Sequence, residues 1–215
     1  MKRKLDYVSV VGFHLIQPLL DLVAKLEHLP AAEPNEVQAA PAENGYSCVV
    51  IVLTAVLLES ALNRTRYVRE DADATIHVAN YFRKISPDQD LAHDVNEIFA
   101  IRDAIVHNHL WKAEINPVTM KFRSPPKRLP GYGGKRFEAV MDAKTRLSSR
   151  LKLNLFPSRI SRRDAYIVFK TAVRTLEQLE KMDRRYFYVG PRPFNFHGLL
   201  VRLPEVLNCI SSLDV

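Results

Sequence analysis

The run "CVVIVLTAVLL" (Cys48–Leu58) constrains the fold more than any other stretch of this chain. A helix that is apolar nearly all round cannot face water on any side, so other elements must enclose it. The run is 11 residues long and ends at Glu59. A membrane span needs about 20 apolar residues, so the run reads as a buried core helix, with no membrane partner expected. The spacing predicts this helix over Tyr46–Arg69, starting after Asn44-Gly45.

The rest of the chain supplies helices to surround it. Residues Leu5–Leu29 carry Val8, Val11, Leu15, Leu19, Leu22 and Leu26 at helical spacing, with Pro18 expected as a kink or break. A shorter amphipathic helix is predicted over Ala74–Ile85. A third begins near "SPDQD", where Ser86 can cap, Pro87 suits the first turn, and Asp88 and Asp90 favour a helix N-terminus. It directs Leu91, Val95, Ile98, Ile101 and Ile105 at the core. The last spans Ser161–Met182, with Ser161 and Asp164 as a capping box and Ile167, Val168, Val173, Leu176 and Leu179 on its buried face.

Between these helices the pattern changes. Pro30–Gly45 is rich in Ala, Pro and Glu without an apolar period, and reads as a linker. From Trp111 to Arg159 the helical period fails, and "WKAEINPVTMKFR" and "KRFEAVMDA" read as short strands around the turn-rich "SPPKRLPGYGGK". That turn is not a phosphate loop, because Leu129 and Arg136 stand where the motif requires Gly and Ser or Thr. The resulting organisation is a helical appendage at 1–29, a linker at 30–45, an all-α domain at 46–185 with an insertion at 110–160, and a tail at 186–215. The tail is aromatic and broken by prolines, and is expected to cover the core or a partner.

Charge is distributed unevenly. The net charge of +7 conceals a balance of −5 over Met1–Met120, +11 over Lys121–Arg163 and +1 over the remainder. One segment therefore carries the whole basic excess. Such a segment favours polyanions, chiefly nucleic acid, through phosphate contacts and counterion release. Lys121, Arg123, Lys127, Arg128, Lys135 and Arg136 are the candidate contacts. Phe122, Tyr132 and Phe137 lie among them, and aromatic residues of that kind suit stacking on single strands. The two cysteines, Cys48 and Cys209, form no CxxC pair, which argues against a disulfide framework or a zinc site. With no secretory leader evident in "MKRKLDYVSVVGFHLIQPLL", a cytoplasmic setting is expected.

The chemistry concentrates in "IFAIRDAIVHNHLWK" (Ile98–Lys112), where Arg102, Asp103, His107 and His109 interrupt an apolar helical run. The Arg-to-His spacing is weak on its own. With 19 arginines and 7 histidines, about two such pairs arise by chance, and "RPFNFH" (Arg192–His197) is another. The context adds weight, since the pair sits where a core helix should end, ahead of a basic segment. His14, His77 and His93 lack partners at ligand spacing, and no metal site is expected. Glu59, alone on its apolar helix, is either the partner of an arginine or a functional carboxylate.

In "RDAIVH" (Arg102–His107) the chain resembles the HEPN superfamily, whose hallmark is Arg, a polar residue, three more residues and His. "AVLLESALNRTRYV" (Ala55–Val68) also looks like that family's first long helix. The resemblance covers roughly 46–182, with 121–159 as an insertion. It implies an up-and-down bundle of four to five helices and metal-independent RNA cleavage without a cofactor. It also implies a homodimer whose two motifs share one cleft. A toxin or antiviral effector, with an antitoxin or regulatory protein as partner, fits that reading. In one toxin branch the motif continues with one residue and then Tyr, which a partner enzyme modifies. His109 stands at that position here, so such modification is not expected.

The residue types suit the implied reaction. Attack by a 2′-hydroxyl needs proton transfer near neutral pH, for which His is the natural group. The phosphorane gains charge that a guanidinium can bind through two parallel hydrogen bonds. Asp103 would orient Arg102 or lock the helix end. On a straight helix at about 100° per residue, His107 lies about 140° from Arg102 and His109 within about 20° of it. Pattern therefore selects His107 and geometry His109, and both stand as candidates. The alternative functions are a non-catalytic module of the same fold binding RNA, a nucleotide or a protein, and a DNA-contacting insertion.

Overall fold

The computed structural model describes residues 12–30, 38–70, 75–107, 109–119, 121–124, 126–129, 135–183, 190 and 192–210. The fold is all-α, with two small hairpins as the only paired strands among the described residues. A 3-10 turn at Gly12–Leu15 leads into α1 (Ile16–Glu27), followed by α2 (Pro41–Val68), α3 (Val78–Ile85) and α4 (Gln89–Val106). After the insertion comes α6 (Arg162–Met182), then a hairpin and α7 (Leu203–Ile210).

The 28-residue α2 occupies the centre, packing most extensively on α6 and also on α1, α3 and α4. By length and composition alone it could cross a membrane, which the 11-residue run did not suggest. Its buried residues include Val50, Ile51, Leu58 and Leu62, all fully inaccessible. It begins five residues earlier than the sequence indicated, and tertiary contacts explain why. Pro41 occupies the first turn, where its missing N–H costs nothing. Asn44 Nδ2 donates to the carbonyls of Pro157 and Ile160 at 2.8 and 2.9 Å. Buried Glu43 accepts from the Arg162 backbone and side chain at 3.0 Å each.

Three further boundaries depart from expectation. Pro18 neither kinks nor breaks α1, because it falls in that helix's first turn. The helix is also no appendage, since Ile16, Leu19, Leu20, Val23 and Leu26 belong to the same hydrophobic cluster as α2, α4 and α6. Helix α3 starts at Val78, capped by His77, whose Nδ1 accepts from Ala79 N at 3.1 Å. Helix α4 is capped by Asp88, which accepts from Leu91 N at 2.9 Å, while Ser86 braces the preceding turn through Asp88 N and O. Asp164 of α6 reaches back to Ser161 N at 3.0 Å, as its position predicted.

In the insertion, β1 (Trp111–Lys112) pairs antiparallel with β2 (Lys127–Arg128), matching Trp111 with Arg128 and Lys112 with Lys127. The expected second strand is instead α5 (Lys135–Val140), which packs on α4. A segment of six residues is too short to declare its period, and here burial of Phe137 and Val140 against α4 decides for helix. Two carboxylates moor the insertion to the bundle. Glu97 of α4, 2% exposed, accepts from Ser148 Oγ, Arg150 N and Leu151 N at 2.6, 2.9 and 2.8 Å. Asp164, wholly buried, accepts from Asn154 N and Nδ2 at 2.9 Å each. Burial nonetheless pushes its pKa above the usual carboxylate value. Arg150 adds an ion pair to Asp94 at 2.7 Å.

The tail covers the core. Strands β3 (Phe194–Phe196) and β4 (Leu199–Val201) form a hairpin beside α1, and Phe194, Phe196, Leu203, Val206 and Ile210 join the main cluster.

Candidate functional site

The site is built where α4 ends. Residues 89–106 are helical, and His107 is the C-cap, its backbone N–H bonded to Asp103 O at 3.0 Å. The ideal-helix angles therefore do not apply beyond Val106, and the two histidines part company. His107 is exposed. His109 turns inward, its N–H bonded to Ala104 O at 3.1 Å, and is only 5% exposed.

Arg102 lies one turn before the helix end, with its side chain 21% exposed. Its Nη1 is 3.6 Å from Glu59 Oε2 on α2, and its Nε is 2.9 Å from Asp103 Oδ1. The Asp103 contact is an ion pair without hydrogen-bond alignment, since the Nε–H has no acceptor in line with it. The guanidinium also rests 5.4 Å from the centre of the Phe99 ring. Glu59 is thus the partner of an arginine. Among the described residues no hydrogen bond or ion pair joins either histidine to Arg102, whereas Arg102 meets Asp103 and His107 meets Asp103 through its backbone N–H.

His109 belongs to the insertion's interior. Its ring meets Phe137 edge-on at 4.8 Å, and its Nδ1 is buried without a partner. Burial, then the Arg128 and His107 charges, push its pKa below the usual histidine value, against a smaller opposing pull from Asp103. Arg128 lies over the Phe137 ring at 5.2 Å and pairs with Glu138. An imidazole enclosed in this way packs against Phe137, and His107 is the exposed histidine of the two.

Of the proposed nucleic-acid contacts, Lys121, Arg123 and Lys127 are exposed, whereas Arg128 is half-buried and committed to Glu138. The side chains of Lys135 and Arg136, and all of Tyr132, lie outside the described residues. Phe137 is 2% exposed, which removes it from any stacking role because its ring is enclosed by Trp111, His109 and Arg128. Among the described residues no group of three His, Cys, Asp or Glu side chains could hold a metal ion. Sequence reasoning did not single out Glu97, Trp111 or Phe156; the only advance signal was that Trp111 is the chain's one tryptophan and opens the stretch where the helical period fails.

Val49 and Val56 precede Glu59 on α2 and are 45% and 38% exposed; Val106, one turn beyond Arg102, is 54% exposed. Compared with family models, curated proteins and solved structures, the chain matches none.

Proposed function

We propose that the chain is a metal-independent endoribonuclease of the HEPN type, acting as a homodimer in a toxin or antiviral role. The carrying observation is the pairing of a held arginine with a free histidine at the end of one core helix. Arg102 is fixed by Glu59 and Asp103 yet stays partly open, and exposed His107 caps the same helix. A homodimer suits this arrangement, because Arg102 and His107 of one chain do not meet, and open apolar residues flank Arg102. In the reaction, Arg102 would bind the phosphoryl oxygens as they gain charge, and His107 would move the proton of the attacking 2′-hydroxyl or of the leaving oxygen. Asp103 would keep the guanidinium aimed. Exposed Lys121, Arg123 and Lys127 would draw RNA to the cleft.

The test is cleavage of RNA in the presence of chelator by the natural chain, Arg102→Ala and His107→Ala. Loss of cleavage in both variants, by about a hundredfold or more, is expected. Activity surviving both substitutions, or no RNA cut by the natural chain, removes the assignment. One observation favours a second reading, a non-catalytic RNA-binding module: two carboxylates already oppose the Arg102 charge. That module would bind RNA with steep salt dependence and never turn it over.

A further inference from the structure

Four aromatic rings run in a continuous row through the insertion. Phe137 meets Trp111 at 6.1 Å, Trp111 meets Phe156 at 5.8 Å, and Phe156 meets Phe122 at 5.8 Å, each pair inclined by 61–65°. Four separate segments supply them: Trp111 from β1, Phe122 from the loop that follows, Phe137 from α5, and Phe156 from the residue before the 3-10 turn Pro157–Arg159. An arginine closes each end of the row. Arg128 lies 5.2 Å over Phe137 and Arg159 lies 5.6 Å over Phe122.

A small hydrophobic core explains only part of this. Phe137 behaves as core, at 2% exposure, but Trp111, Phe156 and Phe122 remain half-buried. Phe122 and Phe156 lie in the segment that carries a charge of +11 and Trp111 packs against Phe156, so these open rings combine an apolar face with a strong positive field. The ligand that satisfies both is a polyanion bearing flat apolar groups. Base-on-aromatic stacking with an arginine beside it is the chemistry of single-strand binding. A duplex buries its base faces and cannot use it. The row also begins beside the candidate site, since Phe137 touches His109, two residues beyond His107.

We propose that Trp111, Phe156 and Phe122 form a stacking platform for single-stranded RNA, bounded by Arg128 and Arg159, which leads the strand to the end of α4. This rests on the reading that RNA is the substrate, and it names single-stranded RNA as the class.

Trp111 is the only tryptophan, so its emission reports the platform directly. The full chain is titrated with a 2′-O-methyl oligoadenylate, which cannot be cut through its 2′-oxygen. Parallel arms use the same backbone without bases, a duplex of equal length, and a DNA oligonucleotide. Quenching of Trp111 by the oligoadenylate, with affinity at least about tenfold above the abasic strand, is expected, since only the base-bearing strand can stack. Phe156→Leu and Phe122→Leu, each checked for a native melting curve, should lower single-strand affinity about tenfold and leave duplex binding unchanged. DNA binding at similar affinity supports the platform, because stacking reads bases and not the 2′-hydroxyl. Equal affinity for abasic and base-bearing strands overturns it, as does quenching that neither phenylalanine variant weakens. If RNA is still cleaved in those cases, only the platform falls; absence of both binding and cleavage removes the RNA reading as well.

Discussion

Glu59 and Arg102 meet across the α2–α4 interface at 3.6 Å, the carboxylate 40% and the guanidinium 21% exposed. An ion pair so open to water is screened and contributes little to folding. A double-mutant cycle of Glu59→Gln and Arg102→Gln should return a coupling below about 1 kcal/mol in unfolding free energy. A coupling well above that would make the pair a structural bond, and loss of cleavage in Arg102 variants would then reflect damage to the fold.

Glu97 stands at the opposite extreme. Its carboxylate is buried and satisfies a hydroxyl and two backbone amides of the 148–151 segment. Glu97→Ala leaves those donors unpaired, at a cost of roughly 2–4 kcal/mol. Hydrogen exchange should show the amides of Arg150 and Leu151 losing protection first, ahead of α2 and α6. Uniform loss across the chain would show that the insertion and bundle unfold as one unit.

His109 predicts a pH effect of definite sign. Its pKa is lowered in the folded chain by burial and by neighbouring positive charge. Below the ordinary histidine value of about 6.5, the unfolded chain therefore binds the proton more readily, and folding stability falls as pH drops. Above that value the contribution is fully present. Melting temperatures between pH 5 and 7.5 should show a weaker acid decline in His109→Phe than in the natural chain. Identical slopes would show that the ring is not enclosed in solution.

Two glycines should respond oppositely to alanine. A Cβ at Gly12 would lie 2.8 Å from Ser60 Oγ and 2.9 Å from Ser60 Cβ, where the Gly12 N–H already donates to that hydroxyl. Gly12→Ala should cost about 1–3 kcal/mol. Gly45 lies within α2 with nothing near its missing Cβ, so Gly45→Ala should stabilise by about 0.5–1 kcal/mol. Thermal melts of the two variants should shift in opposite directions.

The helices that matter most were legible because their signals are local. Asp164 reaching back to Ser161, and Leu91, Val95, Ile98 and Ile101 on one buried face, follow from spacing alone. What escaped notice depends on distant partners. The first turn of α2 is fixed by Asn44 and Glu43 contacting residues more than a hundred positions away. Residues 135–140 carry too few turns to show a period. The separation of His107 from His109 hinges on where α4 stops, and the aromatic row assembles from segments that sequence order keeps apart. The Arg102–Asp103 pair was visible, whereas its link to Glu59 needed the packing of α2 against α4.

The dominance of the α2–α6 contact also sets an order of events during synthesis. Val68 leaves the ribosome more than a hundred residues before Met182. At ribosomal speeds of roughly 5–20 residues per second, the apolar flank of α2 waits on the order of ten seconds for its main partner. During that interval α1, α3 and α4 can shield only part of it, so the nascent chain passes through a stage in which its most apolar helix is a target for chaperones or for a neighbouring copy.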